Sequence, residues 1–433
     1  MSGRAGARFL GRPGLATLDP GSGKAASATL RATLPNGMTV VVRESAGAPV
    51  VALTLFVGVG SRDETAERNG VTALLGRTLL KGTRTRSALE VAQAAEDAGG
   101  VLESATDQEY SELRARGLGR HWPALLALLH EVATSPGLAA TEVERERQAL
   151  LAQIRGLDDQ PFQVANRLLS RALYGTHPYA LSAAGELASV TRLGGDDLRG
   201  HFETFYTPDR MVLAVSGQVA GEAVLREAAE AFRGSARGAT AGALPPPPAR
   251  PVTPGVREIR STQQTHLLVG FLAPPLGHPD YVPLKVLTAV LGSGMSSRLF
   301  RALRDEAGLA YAVGAFYPTR RETSRLVLHI GTAPAHVTEA EAGLQREVAR
   351  LREEPVPGEE LERAKTFLTG SFALDLRTNA RQTFYRGFFE LMGVGHDYLA
   401  RYAAEIEAVT AADLERVARR YLTESSTAVV GPD

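Results

Sequence analysis

With 433 residues, 44% of them apolar, the chain is long enough to bury two or more hydrophobic cores. Its 48 basic and 48 acidic side chains cancel and are interspersed, which argues against a surface built to coat nucleic acid. Cysteine is absent, so disulfides and thiolate metal sites are excluded and His, Asp and Glu remain as the strong metal ligands.

Residues 1–28 carry Arg4, Arg8 and Arg12 among Gly and Ala, lack the continuous apolar stretch of a secretory signal, and read as a flexible tail. An Arg-rich, acid-poor start also suits an organellar transit peptide, but this one has little amphipathic pattern. Gly21-Ser22-Gly23-Lys24-Ala25 lacks the hydroxyl and the preceding strand of a phosphate-binding loop. A first domain is expected over 29–236, with a β-prone run from Val51 to Gly58 and amphipathic helices from Trp122 to Ala133 and from Glu142 to Leu157. Residues 237–256, which include Pro245 to Pro248, are too rich in Pro and Gly for helix or strand and read as a linker. The second domain, 257–433, repeats the order: a β-prone run from His266 to Ala273, then helices from Glu339 to Leu351 and from Glu359 to Leu374.

The repetition has a nearly constant offset. Val143-Glu144-Arg145 and Leu361-Glu362-Arg363 open helices 218 residues apart, Val190-Thr191 and Val409-Thr410 lie 219 apart, and Asp197-Leu198 and Asp413-Leu414 lie 216 apart. A tandem duplication is the reading these matches support together. Helices that come in consecutive pairs do not fit regular strand–helix–strand crossovers. The expected class is therefore α+β: two tandem homologous domains, each a mostly antiparallel sheet with helices packed on one face. Charged or polar residues interrupt every apolar run well before the ~18 residues of a membrane span, so no membrane partner and a cytoplasmic location are expected.

Three separated stretches carry a family resemblance: Leu34-Pro35-Asn36-Gly37-Met38, Gly70 to Thr83 (GVTALLGRTLLKGT), and Gly292 to Tyr311 (GSGMSSRLFRALRDEAGLAY). Together they resemble the pitrilysin and mitochondrial-processing-peptidase family, over nearly the whole chain from about Ala32 onward. Active members of that family carry HxxEH on a helix, two His on one face for zinc and a Glu to activate the metal-bound water. The matching positions here are Ala73, Leu74, Leu75, Gly76 and Arg77. The family's third ligand is a Glu on a later helix, and its counterpart here is Gln153. Ala and Gly offer no ligand atom, Gln is a poor one, and Arg77 sets a permanent positive charge where the ion's would be, so no metal site is expected in this chain. Nor do the nine His include a pair three or four residues apart. A further departure is Glu103-Ser104, where the family usually has Asn-Ala beside its peptide-binding edge strand.

The resemblance implies that the second domain supplies an Arg and a Tyr, seven residues apart, that reach substrate at the zinc; Arg304 and Tyr311 have that separation. A Tyr can donate to the oxyanion of a tetrahedral intermediate and an Arg can hold a peptide carbonyl. Taken alone, Arg304 would be an ordinary surface arginine and Tyr311 half-buried packing. Gly292, Ser293, Gly294 and Ser296 resemble the family's Gly-rich loop beside the chamber and are candidates for substrate binding. Arg298 and Arg301 are expected to pair with acids such as Asp305 or Glu306.

The function expected is the non-catalytic subunit of a heterodimeric zinc peptidase. This chain would lend Arg304 and Tyr311 to a homologous HxxEH-bearing partner that holds the zinc and cleaves the peptide, with no cofactor of its own. The alternatives are a non-peptidase scaffold of the same fold and a homodimer that captures peptides by strand addition without cutting them.

Overall fold

The computed structural model describes residues 29–235, 238 and 244–433; the tail expected over 1–28, the last residue of the expected first domain, 236, and part of the expected linker, 237 and 239–243, lie outside the described residues. The strands are β1 (Thr29–Thr33), β2 (Thr39–Glu44), β3 (Val50–Val57), β4 (Val101–Thr106), β5 (Ser111–Leu118), β6 (Met211–Gly217), β7 (Gly255–Ile259), β8 (Thr265–Ala273), β9 (Ala312–Phe316), β10 (Ser324–Thr332) and β11 (Ser425–Gly431). Among the described residues they form a six-stranded sheet, β1-β2-β6-β3-β5-β4, and a five-stranded sheet, β7-β11-β8-β10-β9. Without β1, the two orders are the same. In each, the pair nearest that end is parallel, β2 with β6 and β7 with β11, and the remaining neighbours are antiparallel. The α+β class and the duplication read from the offsets therefore appear strand by strand. β7 begins at Gly255, two residues before the boundary set by composition.

Each sheet buries one face under helices of its own half. In the first, Leu53, Leu55, Leu213 and Val215 pack with Leu74, Leu125, Leu129 and Ile154; in the second, Leu267, Val269 and Leu328 pack with Leu284, Leu287, Leu344 and Leu414. The opposite faces are covered by exchange. The helix Pro161–Tyr174 belongs to the first half, starts with Pro at a first-turn position, and ends before Gly175. Its apolar stripe, Val164, Ala165, Leu169 and Leu173, packs on Leu268, Val327, Ala428 and Val430 of the second sheet. Its counterpart 218 residues on, Asn379–Leu391, is capped by the Thr378 hydroxyl and packs on the first sheet, where Phe384 meets Phe56 and Tyr110, and Phe388 meets Tyr110, at ring distances of 5.6–6.3 Å. Close approach there requires Gly387, since a Cβ would stand 2.5 Å from the Phe56 ring. At roughly 1.5–3 kcal/mol per buried Leu or Phe, neither sheet could leave this second face in water. The halves are one folding unit.

Between them, the segment 318–323 joining β9 to β10 enters the first half. Glu109, whose side chain is fully buried, accepts from Arg62 Nη1 at 2.7 Å, from the Arg321 backbone N–H at 3.1 Å, and from the Tyr179 hydroxyl. Arg62 also pairs with Glu322 at 2.8 Å, and Arg320 with Asp107 at 2.8 Å.

Glu112 supplies a pH dependence. It lies opposite Phe56 in the β3–β5 register, its Oε1 is 3.2 Å from Arg114, and its buried Oε2 has no partner among the described residues. Burial pushes its carboxyl up to about 7, against the pull of Arg114 and Arg381. Because the folded pKa lies above the unfolded one, the native state binds more protons between roughly pH 4.5 and 7, and this group's contribution to stability is lost as pH rises through that window. Glu112→Gln should flatten that slope and raise Tm at pH 8 relative to the parent. Parallel Tm–pH curves for the two proteins would refute this.

Candidate functional site

The helix Val71–Leu79 carries the positions singled out by the resemblance. Buried Glu64 fixes its start, accepting from the backbone N–H of Gly70 and of Thr72, each at 2.8 Å, and from Asn69 Nδ2 at 2.7 Å. A carboxylate at the N-terminal end also complements the helix dipole, although burial pushes the Glu64 carboxyl up. Along the helix, Gly76 lies against β4: a Cβ there would stand 2.8 Å from Thr106 Cγ2.

Ala73, Gly76 and Arg77 come together with Gln153 around a cavity of about 290 Å³ that is also lined by Ser104 and Thr106 of β4. Gln153 comes from the helix Ala140–Asp158, two turns beyond Glu146 and on the same face. Arg77 spans the site. Its Nε donates to Glu146 Oε2 at 3.0 Å and its Nη1 to Gln153 Oε1 at 3.1 Å, while Lys81 Nζ lies 3.1 Å from Glu146 Oε1. Both Glu146 oxygens thus face cations, and Gln153 offers only an amide oxygen already bonded. This donor set is a poor fit for the zinc that the resemblance brings with it, and it holds no free carboxylate to serve as a base. Among the described residues, no group of three or more His, Cys, Asp or Glu is placed to hold a metal ion.

Among the described residues β4 is the edge of its sheet, paired with β5 alone. Glu103 spends its carboxylate on Arg116 of β5 at 2.9 Å.

In the second half, Arg304 lies on a π-helical segment, Phe300–Glu306, with its guanidinium over the Phe300 ring at 4.8 Å. Buried Leu303 and Leu309 pin the turn that follows, where Leu309 N–H donates to Leu303 C=O at 2.8 Å. Tyr311 N–H then donates to Gly331 C=O at 3.0 Å, just ahead of β9, and its side chain is 65% exposed. Among the described residues neither the Arg304 guanidinium nor the Tyr311 hydroxyl has a hydrogen-bond or ion-pair partner, and none joins either of them to Arg77 or Gln153. Gly292 closes the helix Tyr281–Gly292 against Ala315 of β9, while Gly294, Met295 and Ser296 are exposed and the Ser297 hydroxyl donates to Gly294 C=O at 2.7 Å. Arg298 corrects an expectation. It is buried and donates twice to Glu360, at 2.9 and 2.8 Å, instead of pairing with Asp305 or Glu306 on its own segment.

Comparison with known proteins decides the family. Residues 39–186 match "Insulinase (Peptidase family M16)", and residues 192–368 match "Peptidase M16 inactive domain". An uncharacterized zinc protease of Bacillus subtilis, YmxG, is 30% identical over 403 residues, 93% of this chain and 98% of that protein. The chain belongs to peptidase family M16. An uncharacterized zinc protease of Mycobacterium tuberculosis is similar to this M16 chain at 32% identity over 430 residues, 95% of each. The fold agrees with a crystal structure of a peptidase M16 inactive domain from Pseudomonas fluorescens, TM-score 0.87 at 22% identity over 94% of this chain and 98% of that one. It agrees equally with a protease from Helicobacter pylori, TM-score 0.87 at 21% identity over 94% and 100%. As an M16 member the chain is peptidase-like, with the two-domain organisation expected of that family. Among the described residues no helix is long and apolar enough to cross a membrane.

Sequence reasoning missed the role of Glu146, which is the counter-ion of Arg77, and of Glu64. It also missed a cluster of arginines between the halves. Their signal was present but faint: Arg325 is the one Lys, Arg, Asp or Glu in the β-prone strand Ser324–Thr332.

Proposed function

We propose that this M16 chain is the non-catalytic subunit of a two-subunit zinc peptidase, acting in the cytoplasm beside a homologous HxxEH-bearing chain. The partner holds the zinc and the general base; this chain contributes Arg304 and Tyr311 and the loop from Gly292 through Ser293 and Gly294 to Ser296. The reading rests first on Arg77, whose guanidinium spans the place where a metal's charge would sit and is bonded to Glu146 and Gln153. It is supported by the exposed side chains of Arg304 and Tyr311, whose guanidinium and hydroxyl have no hydrogen-bond or ion-pair partner among the described residues and are available to a substrate bound elsewhere. Relatives described as uncharacterized zinc proteases support peptide cleavage as the reaction class.

Two measurements test it. Metal analysis of the purified, dialysed chain should find zinc far below one per molecule; stoichiometric, tightly held zinc would contradict the assignment. Purification from native extract should bring down a homologous HxxEH subunit, and peptide cleavage should need the mixture, so activity of this chain alone would overturn the division of labour. The open edge of β4 beside the Arg77 cavity favours, as a second reading, a homodimer that binds peptides by strand addition. Light scattering that finds a self-associated dimer without a second subunit would support that instead.

A further inference from the structure

Where the halves meet there is a polar cavity of about 290 Å³, with Asn166, Arg167 and Ser170 of the Pro161–Tyr174 helix on one side and Arg320 and Arg325 on the other. Two of its three arginines are matched. Arg320 Nη1 donates to Asp107 Oδ1 at 2.8 Å, and Arg167 pairs with Asp158. Arg325 is not matched: its Nη1 donates to Ser170 Oγ at 2.6 Å and, weakly, to Asn166 C=O at 3.4 Å, and its Nη2 to Asn166 Oδ1 at 2.9 Å. All of these acceptors are neutral. Among the described residues no carboxylate pairs with Arg325, and its Nε–H and one Nη2–H remain uncommitted. Nε and Nη2 lie on the same side of a guanidinium, the side whose N–H pair grips a carboxylate side-on.

A guanidinium drawn out of water beside a second one, with no counter-charge, is an unfavourable arrangement unless something completes it. Burial and Arg320 lower the Arg325 pKa to about 10, which still leaves it charged at neutral pH. One uncompensated charge, with Asp107 also in the wall, suits a monoanion and disfavours a doubly charged phosphate. The cavity shares Ala183 and Ala184 with the pocket that holds Arg77 and Gln153, and β4 ends at Thr106, just before Asp107 and Gln108 in the cavity wall.

We propose that this cavity is a carboxylate-binding site in which Arg325 grips either the C-terminal carboxylate of a peptide or a small free carboxylic acid. It depends on nothing supplied by a second subunit, so it can be tested on the full chain alone and can fail independently of the pairing reading. Isothermal titration would compare N-acetylglycylglycine, its C-terminal amide, and acetate. The free acid should bind roughly tenfold or more tightly than the amide, because only the acid can form the charged two-point contact. Dipeptide binding tighter than acetate assigns the site to a peptide end; equal binding assigns it to a free carboxylic acid. Arg325→Gln should abolish the preference. Asn166→Asp, which gives Arg325 an internal carboxylate in place of the amide oxygen it already bonds, should abolish it too while raising Tm, so loss of binding there is not loss of fold. Equal affinity for acid and amide, no binding of either, or undiminished acid binding by Asn166→Asp would each overturn the proposal.

Discussion

In a mixture of this chain with an HxxEH-bearing subunit, Tyr311→Phe is expected to lower kcat for peptide cleavage by about 10²-fold or more while leaving KM nearly unchanged. The ring stays and only the hydroxyl goes. That hydroxyl has no partner among the described residues and sits on a side chain 65% exposed, so the substitution removes no internal hydrogen bond, and a change in rate would report the reacting complex. A donor aimed at charge that develops in the transition state acts on kcat, because it binds the tetrahedral oxyanion better than the ground-state carbonyl. Arg304→Ala should behave differently. Holding a peptide carbonyl is mostly uniform binding, so KM should rise, with a smaller effect on kcat. Steady-state kinetics on the reconstituted pair distinguishes the two. Unchanged rates for both variants would leave the pair as surface residues and remove the reason for assigning this chain a part in the chemistry.

The duplication was legible because it lies in the order and spacing of short patterns, and Val143 to Leu361 already gave the offset of 218 that relates the two exchanged helices. The exchange itself was not. An apolar stripe such as Val164, Leu169 and Leu173 says that a face is buried, not which sheet buries it. That positions 73–77 hold no metal-ligating side chain was readable residue by residue. That Arg77 would be neutralised by Glu146 was not, since those residues are brought together by the packing of two helices far apart in the chain. Arg298 failed for a related reason: pairing rules for one helix face apply to side chains that stay on it, and this one turns inward to Glu360. Arg325 could be seen as an oddity in a β-prone run but could not be interpreted, because what makes it notable is that no carboxylate among the described residues pairs with it.

The largest effect on stability should come from Glu109→Ala, at the joint between the halves. Glu109 is fully buried and takes three donors, the Arg62 guanidinium, the Tyr179 hydroxyl and the Arg321 backbone N–H, the last from the second half. Removing it strands part of Arg62, whose remaining carboxylate, Glu322, is itself partly exposed at 30%. Breaking a buried pair from one side costs about 3–5 kcal/mol, because the surviving charge keeps its desolvation cost without the attraction that offset it. Glu109→Gln keeps an acceptor for Tyr179 and for Arg321 N–H but loses the charge and turns an amide NH2 toward Arg62 in place of its acceptor, so it should fall between the parent and the alanine variant. Since each sheet is covered by a helix of the other half, the loss should appear in calorimetry as one transition displaced downward by a few degrees, about 1 °C for each kcal/mol at this size, with no early melting of one half. An alanine variant that melts with the parent would mean that the joint is held by the exchanged helices alone. Two separated transitions would mean that the halves are stable without each other, contrary to what the covered sheet faces require.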